Sequence, residues 1–167
     1  MFRCLTCNSM AKRVLPTLSS SYSPGKPPDI MQKILTSGIA VGIVLLIVSY
    51  GLLTLTPTLL PALTDEYFNP AIFQTGNDRI VLYFLHPFIL SFALAWFWER
   101  FKGLFHSSSF IWRGIELGLV YGLVATLPTM WITFSSMNVS MMMILSWLAY
   151  GVVQAIVAGI INAKLNP

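Results

Sequence analysis

FIWRGIELGLVYGLVATLPTMWITF, running from Phe110 to Phe134, is the stretch whose reading decides the fold. It is apolar over more than the roughly 20 residues that a helix needs to cross the hydrocarbon of a bilayer. Gly114, Gly118 and Gly122 recur every four residues, so a helix places them on one face, which continues through Ala125 and Thr129. Arg113 and Glu116 sit within the same run, where an ionised group is most expensive. One segment therefore holds a seam for close helix packing and two costly charges.

Composition agrees with a membrane reading. The 167 residues are 56% hydrophobic and 10% charged, against about 25% charged in an ordinary soluble domain. A soluble chain this short buries too little of its surface to hide so much apolar area. The formal net charge of +4 raises the question of nucleic acid. Its basic residues stand beside hydrophobic segments rather than in a stripe, so orientation in a membrane explains them and no nucleic-acid partner is expected.

Working outward, three further apolar runs are long enough to span: Ile34 to Leu55, Ile80 to Trp98 and Met141 to Ala163. With 110–134 they predict an all-α, integral membrane four-helix bundle over residues 34–163. The second run is interrupted by His86-Pro87, and Pro87 predicts a kink near Tyr83. Residues 1–33 read as a flexible basic leader, because the prolines from Pro24 to Pro28 and the serines around Ser21 offer no apolar period. Translation begins either at Met1 or at Met31. The first run lacks an Ala-x-Ala site and is longer than a signal core, so it is expected to be retained. Thr56 to Arg79 reads as a long loop carrying Asp65, Glu66 and Asp78 and a Gly76-Asn77-Asp78 turn, and 164–167 as a tail.

Orientation follows from the cations. Arg3, Lys12, Arg13, Lys26 and Lys33 of the leader, Arg100 and Lys102 after the second helix, and Lys164 all fall on one side, with Arg113 just beyond; the other side holds Arg79. Both termini are therefore expected in the cytoplasm. Trp96, Trp98 and Trp112 lie near that side, and Trp131 and Trp147 toward the other.

In lipid no hydrophobic push drives helices together, so small residues must allow close contact. Helix 4 answers the glycines of helix 3 with Gly151, Ala155 and Gly159, which predicts a tight antiparallel hairpin. Gln154 flanks this seam and Tyr121 lies on it, at depths of roughly 12 and 16 Å. An unpaired amide in hydrocarbon is costly, so the two are expected to meet. Arg113 and Glu116, at i and i+3, are close enough to pair. Arg113 lies near enough to the boundary to snorkel. Glu116 points away from the glycine face, which leaves three readings open: pairing with Arg113, contact with another helix or subunit, and proton or ion handling. His86 shares a face with Leu90, Ala93 and Phe97 near the opposite leaflet, so it and Glu116 do not make one catalytic pair.

Nothing in the chain matches a phosphate-binding loop, a zinc-protease helix or a nucleophile elbow. No catalytic residue, cofactor or metal site is expected. Cys4 and Cys7 form a CxxC without the second pair that a structural zinc requires, and scattered acids on a solvated loop hold no specific cation.

The Trp112-Arg113-Gly114 start, the VYG of Val120 to Gly122 and the WLAYGVVQAIVAG run from Trp147 to Gly159 resemble the small bacterial four-helix membrane proteins grouped as domains of unknown function. The resemblance covers Met31 to Pro167. It implies residence in a bacterial inner membrane and brings no activity, cofactor or catalytic residue. The expected role is a non-enzymatic accessory or assembly subunit, in a homo-oligomer or a larger membrane complex. The alternative is a transporter or channel subunit with a polar path around Glu116, Gln154 and Tyr121.

Overall fold

Helix is the only regular structure among the residues that the computed structural model describes, namely 27–67, 69, 70, 72 and 80–167. The elements are α1 (Pro27–Leu59), α2 (Pro61–Tyr67), α3 (Ile80–Phe101), α4 (Phe110–Tyr121), α5 (Leu127–Ser136) and α6 (Met141–Leu165). A 3-10 turn, Lys102–Leu104, extends α3, and a π-helical turn, Gly122–Thr126, joins α4 to α5. Four stretches are long and apolar enough to cross a membrane: Ile30–Leu59, Val81–Leu104, Phe110–Ser136 and Met141–Leu165.

The helix boundaries depart from expectation in instructive ways. α1 begins at Pro27, not Ile34, so the proline run does not keep the last part of the leader from being helical. Proline lacks only an N–H that the first turn would leave unbonded, and its fixed φ suits that position. The rest of the leader, with Cys4 and Cys7, and the Gly76-Asn77-Asp78 turn with Arg79 lie outside the described residues. α2 occupies what reads in sequence as loop, opening on Pro61. α3 passes through Pro87 as one helix. The π turn stands just ahead of Pro128, which has no N–H to offer the carbonyl four residues back. There the helix widens, and the Leu127 N–H reaches back to the Gly122 carbonyl.

α1 packs along α3 and α4 along α6, and α6 also touches α1 and α3, joining the two pairs. Val41 and Leu45 of α1, Leu90 and Leu94 of α3, and Ala155 and Ala158 of α6 make the central core. At the end where α1 starts and α3 and α6 finish, Trp98 stacks on Phe105 with centroids 5.5 Å apart. The Trp98 Nε1–H donates to the Asn166 carbonyl at 2.8 Å. At the far end Leu63 of α2 packs with Val139, Met143 and Ile144.

In the α4–α6 hairpin the glycines of α4 lie against α6. A methyl added at Gly114 would lie 2.5 Å from the Ile160 nitrogen, and one at Gly118 would lie 2.9 Å from that of Ile156. At Gly122 it would meet the Val152 side chain at 2.8 Å. Thus α4 supplies holes, and α6 fills them with branched residues at four-residue spacing. The expected row of small residues on α6 needs correcting. Gly159 does face Gly114, its added methyl lying 2.8 Å from the Gly114 carbonyl oxygen. Gly151 borders Thr126, and Ala155 turns into the core shared with α1 and α3. A groove of glycines needs protrusions, not a second groove. On the other pair, Gly38 and Gly42 of α1 are the floor on which the Phe92 and Phe88 rings lie.

Candidate functional site

The polar residues singled out in the sequence are not brought together. Glu116 and Arg113 both turn to Ser107 in the preceding loop instead of to each other. The Ser107 hydroxyl donates to Glu116 Oε1 at 2.6 Å, and Arg113 Nε donates to the Ser107 carbonyl at 2.6 Å. An i, i+3 spacing allows a pair, but a nearby loop hydroxyl and carbonyl satisfy both groups first. Gln154 is 1% exposed and does not meet Tyr121. Its amide nitrogen donates to Ser49 Oγ of α1 at 2.9 Å and to the Tyr150 hydroxyl at 3.0 Å. Gln154, Ala158 and Asn162 recur every four residues, so they share the face of α6 turned to α1 and α3. Tyr121, half-buried on α4, packs against the central core instead.

His86 belongs to a feature that the sequence does not disclose. A cleft of about 460 Å³ lies between the end of α1, α2, the start of α3 and the first half of α6. Its size falls within the roughly 300–1,000 Å³ of small-molecule sites. Five of its fourteen lining residues carry rings: Tyr67, Tyr83, His86, Trp147 and Tyr150, and no Lys, Arg, Asp or Glu is among them. Aliphatic side chains such as Leu52, Leu63 and Val153 complete the wall. The Gln154 amide ties two hydroxyls of this wall together, donating to both Tyr150 and Ser49. The Ser49 hydroxyl also bonds the Leu45 carbonyl at 2.6 Å.

α2 closes the cleft at the far end. The Trp147 indole N–H donates to the Tyr67 hydroxyl, and the two rings meet edge to face. Burial pushes the Tyr67 phenol up from its usual range. Glu66 accepts from the Ser140 N–H at 2.7 Å and from its hydroxyl at 2.6 Å. Ser140 Oγ caps α6 by accepting from the Met143 N–H at 3.1 Å. An acid that reads in sequence as free on a loop is thus part of the clip holding α2 to α6.

Comparison with family models, curated proteins and solved structures returns no match.

The site therefore stands on its geometry. Among the described residues no group of three or more His, Cys, Asp or Glu side chains is placed to hold a metal ion. Two residues escape a reading of the sequence as individuals. Ser49 is one hydroxyl in an apolar helix, and nothing in α1 announces that α6 will bring it an amide. Asn162 is fully buried, and neither end of its amide has a hydrogen-bond partner among the described residues. The i, i+4, i+8 spacing of Gln154, Ala158 and Asn162 is the available signal that both amides face the same neighbours.

Proposed function

We propose that this chain is an integral membrane protein with both termini in the cytoplasm, and that it acts as a non-enzymatic accessory subunit in a homo-oligomer or a larger complex of a bacterial inner membrane. The observation that carries this reading is the outward face of α4. Trp112, Leu119 and Leu123 are 61%, 54% and 66% exposed, and helical spacing puts Glu116 among them, half-buried and with only Oε1 bonded, by the Ser107 hydroxyl. A carboxylate on a lipid-facing surface is costly, and a second helix covering that side relieves the cost. Elsewhere, polar side chains are spent on tying elements together. Gln154 bonds Ser49, the Ser91 hydroxyl bonds the Gly38 carbonyl at 2.8 Å, and Glu66 bonds Ser140. Groups used in this way are poor candidates for turnover. The excess of Lys and Arg at one end supports the orientation.

Assembly through the α4 glycines is not available, because α6 already fills that groove. Contact falls instead to the exposed branched and aromatic residues on the other side. The transporter alternative draws no support from the geometry, since Glu116, Gln154 and Tyr121 have separate partners and none of them lines the aromatic cleft. Leu119→Cys, oxidised in native membranes, tests the assembly reading. A cross-linked species above the mass of one chain, diminished by Glu116→Leu, is the expected result. A chain that stays single in membranes and purifies alone in native nanodiscs would overturn it.

A further inference from the structure

We propose that the aromatic cleft is a binding site for an uncharged, ring-bearing lipid that offers a carbonyl or hydroxyl oxygen. This goes beyond the assembly reading and rests only on its membrane part. Three observations carry it. First, the opening faces where bilayer would lie: Leu53, Val153 and Tyr83 are wall residues that remain exposed within stretches long enough to span. What reaches the site therefore comes from lipid. Second, among the described residues the lining has no fixed charge, so none of them balances a phosphate or an ammonium head. Ordinary phospholipid heads are excluded, and a neutral polar group is admitted.

Third, the wall has the chemistry to orient such a group. Tyr67, Tyr83, Trp147 and Tyr150 offer ring faces and edges that stack on a compact ring in offset or edge-on geometry. The hydroxyls are graded in availability. Tyr150 is engaged by Gln154, and Tyr67 by Trp147. Tyr83 and His86 stand exposed at the mouth. A Tyr hydroxyl and an imidazole each donate or accept, which suits either a carbonyl or a hydroxyl oxygen. The aliphatic side chains of Leu52, Leu53 and Val153 then follow the ligand's tail outward. Quinones and sterol-like alcohols share this chemistry.

The test places the full chain in phosphatidylcholine nanodiscs and measures probe bound in excess of protein-free nanodiscs. Entry into the discs is scored before any probe is added, so failure of the membrane reading is seen separately. The probes are decyl-benzoquinone, cholesterol and decanol. Saturable excess binding of the quinone or the sterol is expected, and which of them binds separates a carbonyl from a hydroxyl ligand. Tyr83→Phe and His86→Phe should each weaken binding by about fivefold, the worth of one hydrogen bond. Ala149→Trp, which fills the cleft from α6, should abolish it while the thermal unfolding of the chain is unchanged. Purely linear uptake of all three probes, equal binding of decanol, or full binding by a folded Ala149→Trp variant would each overturn the proposal.

Discussion

Adding one methyl at Gly114 measures how much the α4–α6 seam depends on bare backbone. In Gly114→Ala the new carbon lies 2.5 Å from the Ile160 nitrogen and 2.7 Å from its Cα, besides 2.4 Å from Cγ1. A side-chain atom can swing away, but a helix backbone cannot, so the two helices must separate or slide. Overpacking costs about 1–3 kcal/mol, and a clash with main chain belongs at the upper end. Alanine returns up to about 1 kcal/mol of helix propensity. The net loss is about 2 kcal/mol, roughly thirtyfold in the folding equilibrium. Gly51→Ala is the matched control. It makes the same chemical change in α1, where nothing lies within 4 Å of the added carbon. Reversible unfolding in mixed detergent micelles, or steric trapping in bicelles, reads both variants. Gly114→Ala should unfold more easily than wild type, and Gly51→Ala no more easily. Equal stability of the two variants would refute a seam held by main-chain contact.

Asn162→Leu should stabilise the fold by about 1 kcal/mol, because it removes a buried amide that lacks partners; a clear loss in the same unfolding assay would mean that something bonds the amide. Ser140→Ala removes the cap of α6 and the hydroxyl half of the Glu66 clip, leaving the backbone N–H bond to Glu66. About 1 kcal/mol should be lost, and hydrogen exchange at α2 amides should quicken while the middle of α3 is unaffected. Gln154→Leu should cost only about 0.6 kcal/mol, typical of interhelical bonds in a membrane protein; failure of that variant to fold would show that the Ser49 contact is worth far more. Cysteines placed at Lys164 and Met137 should label from opposite sides of sealed cells, position 164 from the cytoplasm. Labelling of both from one face would sink the four-span arrangement.

What sequence makes legible here is whatever one residue type alone determines. Only glycine allows the approach seen at Gly114 and Gly118, so its four-residue spacing is enough to announce the α4–α6 hairpin. The occupant of the groove is not legible, since Ile156 and Ile160 look like any lipid-facing residues until a partner is known. Gln154 shows the same limit. Its cost in an apolar setting is readable, but its direction depends on which of two neighbouring helices lies across from it. The choice of Ser49 over Tyr121 is made by α1, far away in the chain. α2 is hidden because a helix of seven residues has too few turns to show a period. The cleft escapes for a related reason, being assembled from four elements, none of which carries a motif.

α6 touches α1, α3 and α4, and it is the last of the four long helices to be synthesised. Until it appears, α4 carries an open trough with no protrusions to fill it, and Ser49 has no amide to receive. A nascent chain can pair α1 with α3 early, yet it must hold α4 in waiting. On the membrane reading proposed above, insertion machinery or a chaperone that shields that trough would act in a narrow interval, after α4 is inserted and before its filler arrives.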